Sequence, residues 1–284
     1  MNLDLDTGLY TYRFTRLPHY LHEQLELLYD KGLCDLSDVP IDYTVDLQTS
    51  GLFRRLFRPQ RTFFLDSQRI FNPVPVKNCL PSVEWAMNWC IGSSDHHHLL
   101  IHAAVVEKKG KAIILPASQG SGKSTLSAYL GLHGWKLFSD ELAIVDLKSN
   151  TVNPIFRPAS LKNRSIDIIK DIAPQSVFSA TTNGTQKGSV AHLKTSTFDD
   201  FKKLQPKKIC AVISPKYRES VELTINKLNS VQLFAMLVKN SFNYSVLGVS
   251  GFKTVNEIVQ RSVGFSVKYS SFEQITPFLD GLID

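Results

Sequence analysis

Hydrophobic and polar residues alternate along several short stretches of the chain, and in other stretches leucines recur at helical spacing. Alternation predicts half-buried strands, whereas apolar residues every three or four positions predict helices. In residues 1–75 these patterns predict an α+β region with one helix over residues 19–32, closed by Gly32. The strands of this region are predicted over residues 11–17, 41–47 and 61–68.

Beyond residue 75 the patterns favour intermixed strands and helices, which is typical of an α/β protein. Residues 97–117 predict a β-hairpin in which Gly110 supplies the positive φ of a tight turn. A polar stretch over residues 183–188 predicts a mobile loop. Further strands are expected over residues 135–139, 142–147 and 207–217, and helices over 80–94, 230–242 and 252–262.

Length and composition describe an ordinary globular chain. The 284 residues are 43% hydrophobic and 20% charged, which is enough for one large domain with its own core. No run of about 18 apolar residues occurs, so we expect no transmembrane helix and no membrane partner. The first residues carry acids where a signal peptide needs basic residues. We therefore expect a cytoplasmic protein.

The net charge of +6 comes with lysines in short clusters, such as residues 108–111 and 207–208. Because charge runs usually keep a surface solvated, we expect no nucleic-acid partner. None of the four cysteines forms a CxxC pair, so neither a zinc site nor a redox dithiol is predicted. Asp95 and the three histidines after it are consecutive, and strand alternation would send neighbours to opposite faces, which argues against a metal site there.

Candidate chemistry concentrates in PASQGSGKST, which follows an apolar strand and opens an amphipathic helix that Gly134 ends. It matches the phosphate-binding pattern G-x-x-x-x-G-K-[ST], except that Ala117 replaces the first glycine. Glycines let backbone N–H groups curl around phosphate, the lysine reaches the β- and γ-phosphates, and the next hydroxyl coordinates Mg²⁺. The predicted nucleotide-binding residues are Ser118, Gln119, Gly120, Ser121, Gly122, Lys123, Ser124 and Thr125, with Ser124 also a predicted metal ligand.

Asp140 and Glu141 stand at the end of a short apolar strand, 17 and 18 residues after Lys123. One helix and one strand bring the chain back beside the loop, at the carboxyl edge where α/β sheets bind ligands. One carboxylate is expected to hold Mg²⁺ and the other to accept a proton from an attacking hydroxyl. Asp140 is the expected base and Glu141 the metal ligand, although both are candidate ligands and the two roles are exchangeable.

These stretches, with His102 in the strand before the loop, resemble the HPr kinase/phosphorylase fold, and more specifically the group called HPr-kinase-related kinase A. The resemblance covers most of the chain from about residue 50, in NWC (88–90), HAA (102–104), SDE (139–141), RPASLKN (157–163), GSVAHL (188–193) and NSFNYS (240–245). A glutamate at 141 replaces the second aspartate of the family pattern.

The resemblance implies the mixed-sheet P-loop fold shared by HPr kinase and phosphoenolpyruvate carboxykinase. A kinase core would span residues 76–284, with residues 1–75 as an α+β extension packed on it. It also implies ATP- or GTP-dependent phosphorylation, with Mg²⁺, of a serine or of a small-molecule alcohol. Enzymes of the parent family assemble as hexamers, which allows for a homo-oligomer here.

Other residues have candidate roles, each beside a structural alternative. His102 is a candidate catalytic residue that hydrogen-bonds a carboxylate or steers phosphate, or else an ordinary strand histidine. Arg157 is a candidate for neutralising charge on the γ-phosphate, or else part of a surface ion pair. Candidates for substrate contact are Lys162, Asn163, Lys187 and Asn243. Solvent exposure and helix capping are the alternatives for the last two.

The favoured function is a kinase that transfers the γ-phosphoryl group to a serine-type hydroxyl of a peptide, protein or small molecule. The alternative is a P-loop ATPase or nucleotide switch without a separate acceptor. Such ATPases usually carry their metal-binding acidic strand much later in the chain, so the 17-residue gap favours the kinase. The sequence does not distinguish ATP from GTP, because no short base-reading motif is present.

Overall fold

The computed structural model describes residues 1–49, 51, 57, 59–118 and 120–284. The strands are β1 (Leu3–Asp6), β2 (Thr11–Thr15), β3 (Tyr43–Thr49), β4 (Gln60–Leu65), β5 (Gln68–Arg69), β6 (Val74–Pro75), β7 (His98–Ile101), β8 (Ala103–Lys108), β9 (Lys111–Pro116), β10 (Lys136–Ser139), β11 (Ala143–Asp146), β12 (Thr151–Asn153), β13 (Ala159–Lys162), β14 (Thr182–Thr185), β15 (Gly188–Leu193), β16 (Lys207–Tyr217), β17 (Thr224–Lys227) and β18 (Val263–Tyr269). The α-helices are α1 (His19–Tyr29), α2 (Cys79–Ser94), α3 (Lys123–Leu132), α4 (Arg164–Ile172), α5 (Phe198–Phe201), α6 (Ser230–Lys239), α7 (Tyr244–Leu247), α8 (Val249–Arg261) and α9 (Phe272–Gly281).

Helices and strands intermix, and two of the three sheets combine parallel with antiparallel neighbours, so the predicted α/β class with a mixed sheet is confirmed. Among the helices described, none is both long and apolar enough to cross a membrane. The chain forms two compact units. The first comprises Met1–Ser94, Ile155–Ile166 and Gln175–Lys203, and the second Asp95–Pro154, Asp167–Pro174 and Leu204–Asp284. The division predicted at residue 75 stays a prediction.

The first unit is built on a six-stranded sheet and a three-stranded sheet. The larger sheet runs β1-β2-β3-β4-β5, with β6 also paired to β4, and the smaller one runs β13-β15-β14. Leucines at helical spacing bury one face of α1, namely Leu21, Leu25 and Leu28. The predicted strands and helix are therefore confirmed in part, because the α-helix ends at Tyr29 before Gly32 and the strand predicted over residues 61–68 is divided into β4 and β5.

The mobile loop predicted over residues 183–188 is wrong. Most of that stretch lies in an antiparallel hairpin, in which β14 pairs with β15 and Thr185 stands opposite Gly188. Gly184 and Gly188 both have positive φ, and the Thr185 hydroxyl donates to the Gly188 carbonyl at 2.7 Å. Polar and glycine residues resemble a loop by composition, but here they form the bend of a hairpin.

The second unit is built on a nine-stranded sheet. Its main path is β10-β8-β9-β16-β12-β11-β7, and β18 pairs with both β16 and β17. Strands β9, β16 and β18 are parallel neighbours. Since β9 and β10 are both antiparallel to β8, they also point the same way. The carboxyl ends of four strands therefore lie at one edge of this sheet.

The hairpin predicted over residues 97–117 is confirmed in part. Strands β8 and β9 form it, and its turn residues Lys109 and Gly110 have φ of 51° and 80°, as a two-residue hairpin turn of mirror-image type requires. The chain breaks at His102, however, and β7 pairs with β11 instead of continuing the hairpin. The apolar run is continuous in sequence, but its two halves form β7 and β8, which occupy different positions in the sheet.

Candidate active site

The segment between β9 and α3 turns sharply through two glycines. Gly120 and Gly122 have φ of 78° and 89°, in the left-handed region that glycine adopts without strain. The turn is closed by a hydrogen bond from the Ser121 N–H to the Ser118 carbonyl at 3.2 Å, and Gly122 leads directly into α3. The residues around these glycines thus form a tight loop at a helix N-terminus. Gln119, a predicted nucleotide contact, lies outside the described residues.

Two tyrosines from neighbouring strands hold this loop. The Tyr217 N–H, at the end of β16, donates to the Ser121 carbonyl at 2.8 Å. A Cβ placed on Gly122 would lie 2.8 Å from the Tyr217 Cβ and 3.1 Å from the Tyr269 hydroxyl. Only glycine fits at 122, for its φ and for this close approach. Sequence analysis missed both tyrosines, because only the parallel pairing of β16 with β9 and β18 brings them to the loop.

The first turn of α3 holds the predicted lysine and hydroxyls. Lys123 is the first helical residue and is buried, and Ser124 and Thr125 after it are half-buried. Beside it the Ser121 hydroxyl is buried with no hydrogen-bond partner within the described ranges. Helix N-termini favour anions and disfavour cations. A buried ammonium and an unsatisfied hydroxyl at this point are therefore arranged as an anion-binding site would be.

Asp140 lies next to this helix at the end of β10. It is only 4% exposed, and one carboxylate oxygen accepts a hydrogen bond from the Ser127 hydroxyl at 2.8 Å. Ser127 is fully buried in α3, one turn after Lys123. The next turn of chain is held by the Ser139 hydroxyl, which accepts from the Leu142 N–H at 3.1 Å. Burying a carboxylate costs free energy unless hydrogen bonds or opposite charges compensate it. The hydrogen bond from Ser127 therefore stabilises Asp140 in this position.

His102 completes the group. Its ring is half-buried, and its backbone N–H donates to the Asn240 carbonyl at 2.7 Å. Burial first, and Lys123 next, hold the pKa of His102 below its ordinary value of 6.5, against the opposing effects of Glu141 and Asp140. His102 therefore lies within electrostatic reach of Lys123, Glu141 and Asp140. The catalytic and binding roles of these residues stay predictions.

The residues at this edge also suit Mg²⁺. Ser124, Asp140 and Glu141 offer a hydroxyl and two carboxylates, the hard oxygen donors this ion prefers. No group of three or more His, Cys, Asp or Glu side chains among the described residues could hold a metal by itself. Mg²⁺ commonly completes its shell with water and substrate phosphates, so a sparse protein ligand set fits it.

Arg157 forms a buried ion pair with Glu84 in the first unit. Its guanidinium donates to the Glu84 carboxylate at 2.6 Å and to the Glu84 carbonyl at 2.7 Å, and it also donates to Asn88. The Tyr29 hydroxyl donates to the other Glu84 oxygen at 2.7 Å. Burial alone would lower the pKa of Arg157, but Glu84, together with Tyr29 and Tyr12, raises it above its ordinary value. These contacts occupy the guanidinium, and its phosphate role stays a prediction.

The remaining substrate candidates of the first unit meet at the β14–β15 hairpin. The Asn163 side chain accepts from the Ser189 N–H at 3.1 Å and is so close that a Cβ on Gly188 would lie 2.2 Å from its oxygen. Lys187 places its ammonium 4.8 Å from the centre of the Trp85 ring. Lys162 hydrogen-bonds through its backbone N–H to Ser165 at 2.8 Å. These contacts show structural uses, and substrate contact stays a prediction.

Asn243 is buried in the second unit and has three partners. Its oxygen accepts from the Leu100 N–H at 3.0 Å, and its amide donates to the carbonyls of Asp95 and His98 at 3.1 and 2.9 Å. The Asp95 carboxylate in turn accepts from the His97 and His98 N–H groups at 2.8 and 3.2 Å and contacts the His98 ring. Asn243 therefore stabilises the start of β7 through these three hydrogen bonds. The Asp95 carboxylate stabilises the turn that precedes β7.

No protein-family model matches the chain, and no curated protein matches it either. The resemblance to HPr-kinase-related kinases thus rests on the sequence motifs, and it stays a prediction.

Proposed function

We propose that the chain is a P-loop kinase of the HPr-kinase-related type, which transfers the γ-phosphoryl group of ATP or GTP to a hydroxyl of a peptide, protein or small molecule. One observation carries the proposal. The buried Asp140 carboxylate is hydrogen-bonded to Ser127, on the same helix whose first residue is Lys123. The helix that carries the lysine therefore also fixes the carboxylate. A phosphoryl-transfer site needs both groups.

Lys123, the loop N–H groups and the N-terminus of α3 would bind the β- and γ-phosphates. Ser124, with Asp140 or Glu141, would hold Mg²⁺, which neutralises charge on the phosphates when bound. The left-handed glycines at 120 and 122 turn the backbone toward the helix start. Ala117, which replaces the first motif glycine, precedes both of these glycines.

Asp140 would act as the base. The acceptor oxygen forms a bond to the γ-phosphorus while the bond from that phosphorus to the β–γ bridging oxygen breaks, and the acceptor proton passes to the carboxylate. The nucleoside diphosphate leaves with the bridging oxygen. Glu141 is the half-exposed alternative base. His102, whose pKa is lowered, is neutral near pH 7 and offers its ring as a hydrogen-bonding group without adding charge.

The test incubates purified protein with γ-labelled ATP or GTP, Mg²⁺ and a fractionated cell extract. Wild type is compared with Lys123→Ala, with Asp140→Asn and with Asp38→Asn, an exposed aspartate that serves as the matched control. Label is expected in an acceptor with wild type and the control, but not with the two site variants. Rapid release of labelled phosphate without any acceptor would replace the kinase with an ATPase. Phosphoryl transfer by the Lys123→Ala variant at the wild-type rate would show that the loop does not take part in the reaction.

A further inference from the structure

The carboxyl end of β16 is hydrogen-bonded to the glycine loop on one side and to β18 on the other. The Tyr217 N–H donates to the Ser121 carbonyl at 2.8 Å. The next N–H along the chain, that of Arg218, donates to the Tyr269 carbonyl at 3.0 Å. The rings of Tyr217 and Tyr269 also meet edge to face, with their centres 5.9 Å apart. The backbone of Arg218 is therefore held in a fixed position relative to the loop.

The side chain of Arg218 lies on the loop side of the strand. One nitrogen of its guanidinium donates to the Tyr217 carbonyl at 3.1 Å. In an extended strand the N–H and C=O of one residue point to the same side, and those of the next residue point to the other. Because the Tyr217 N–H points to Ser121, the Tyr217 carbonyl and the guanidinium bound to it lie on that side too.

Arg218 also stands at the edge of the sheet where a nucleotide would bind. It follows the last residue of β16, whose carboxyl end points to the edge at which α/β sheets bind ligands. A phosphate-binding loop turns its N–H groups inward, so the Ser121 carbonyl that Tyr217 binds points out of the loop. Arg218 is thus at the outer rim of the loop, from which a long side chain reaches phosphates held inside it.

The guanidinium is exposed and keeps most of its hydrogen-bond donors. Within the part of the chain that the structure describes, the side chain makes one hydrogen bond, to Tyr217. An arginine has five N–H donors, so the others are available to a ligand. The acids on the connection to β17 are Glu219 and Glu222, both exposed, and neither forms a described ion pair with Arg218.

Two lysines beside Arg218 make this end of the sheet positive. Lys216 on β16 stands directly opposite Lys268 on β18, and both side chains are exposed. Like charges that face each other on neighbouring strands are destabilising, and no described acid pairs with either lysine. A bound anion at this edge would reduce that repulsion.

Transfer of the γ-phosphoryl group calls for more positive charge than the motif residues supply. Asp140 and Glu141 add negative charge beside the phosphates, and Lys123 with one Mg²⁺ offsets only part of the total. Negative charge on the γ-phosphoryl and bridging oxygens shifts as the bond breaks, and an arginine aimed at these oxygens stabilises that state. Arg157, the arginine that the sequence indicates for this role, already binds Glu84.

We propose that Arg218 is a catalytic residue that donates hydrogen bonds to the γ-phosphoryl oxygens of the nucleotide during transfer. The proposal rests on the kinase function proposed above and adds one residue to its site. The guanidinium leaves the Tyr217 carbonyl to bind these oxygens and returns when the nucleoside diphosphate departs. It stays protonated throughout, so the acceptor proton still passes to the carboxylate.

The test compares wild type with Arg218→Ala, Arg218→Lys and Lys216→Ala, all at exposed positions. Lys216→Ala is the matched control, because it removes one positive charge from the same face of β16, two residues before the rim of the loop. Turnover of γ-labelled ATP and GTP is measured with Mg²⁺ and the cell-extract fractions, and affinity is measured with fluorescent ADP and Mg²⁺. Turnover by each variant is measured again after addition of guanidinium chloride.

Arg218→Ala is expected to lower turnover about a hundredfold or more, while its affinity for ADP changes by less than about threefold. Arg218→Lys should recover little, because an ammonium lacks the planar pair of donors. Lys216→Ala should lower turnover by at most about threefold. Added guanidinium should raise turnover by Arg218→Ala and leave turnover by Lys216→Ala unchanged.

Three results would overturn the proposal. Equal turnover by Arg218→Ala and Lys216→Ala would mean that only the general positive potential matters, and the kinase would stand. Weaker ADP binding with wild-type turnover at saturating nucleotide would make Arg218 a binding residue without a catalytic role. A wild-type protein that turns over neither nucleotide would remove the kinase, and the role of Arg218 with it. Thermal unfolding shows whether each variant is folded, and if Arg218→Ala is not, Arg218→Lys supplies the same comparison.

Discussion

The Ser127 hydroxyl donates a hydrogen bond to the buried Asp140 carboxylate at 2.8 Å, from the helix that begins with Lys123. A single helix therefore sets the positions of the candidate phosphate-binding lysine and the candidate base. Removing this donor takes away a hydrogen bond to a charged, buried group, which typically costs about 1–3 kcal/mol.

We expect Ser127→Ala to lower the free energy of unfolding by about that amount and to lower kcat more than it raises KM, because the carboxylate loses its fixed position. Ser127→Thr keeps the hydroxyl and serves as the matched variant. Denaturant titrations and steady-state transfer assays check both. Equal kcat in the two variants would show that Ser127 only packs.

Gly122→Ala should destabilise the protein more than Gly120→Ala. Both glycines have positive φ, a conformation that costs a non-glycine residue about 1–3 kcal/mol. At Gly122 the added methyl would also meet Tyr217 at 2.8 Å, whereas at Gly120 it meets nothing within 4 Å. Thermal unfolding and nucleotide titration of the two variants separate the backbone strain common to both from the steric clash with Tyr217 that only Gly122→Ala introduces. Equal effects at the two positions would refute the close approach to Tyr217.

Acidification should weaken the folded state through His102. The pKa of His102 is lower in the folded state than the ordinary 6.5, chiefly because the ring is buried. As the pH falls below about 6.5, the unfolded chain therefore binds more protons at this residue than the folded chain does. This contribution to stability is present above about pH 6.5 and is lost as the pH falls toward the folded pKa. Urea titrations between about pH 5 and 8 check this by comparison with His102→Gln, which does not titrate. His96→Gln, at an exposed histidine, is the control and should follow wild type.

Arg157→Met should be strongly destabilising, by about 3–5 kcal/mol, because it leaves the Glu84 carboxylate buried without its cation. The triple variant Tyr29→Phe/Glu84→Leu/Arg157→Met removes the charges and the phenol together and should recover much of that loss. If the folded triple variant transfers phosphate normally, Arg157 is structural. If it folds and is inactive, the role on the γ-phosphate stands.

Local patterns were sufficient for most strands and helices. The short connections between β8, β9, α3 and β10 also explain why His102 lies near Lys123, Asp140 and Glu141, while the roles of these residues stay predictions. The contact between Tyr217 and the loop could not be predicted from local patterns, because it depends on the pairing of β16 with β9, two strands distant in sequence.

Arg157 and Asn163 show the opposite difficulty. Both stand in a polar segment that suggested phosphate or substrate contacts, but the nature of their partners depends on tertiary structure. Glu84 lies on α2 and Gly188 on a hairpin, far from either residue in the sequence. A polar side chain in a sequence does not reveal whether its hydrogen bonds will be made inside the protein or to a ligand.

The parallel pairing of β9 with β16 also has a consequence during synthesis. Residues 117–206 separate the two strands, so the ribosome releases the whole glycine loop long before the strand that flanks it. Until Tyr217 and then Tyr269 have emerged, Ser121 and Gly122 have only local contacts with Ser118 and Leu126. A nascent chain stalled before Tyr217 would carry the complete motif without the strand that flanks it, so the proposed nucleotide binding would wait until that strand has paired.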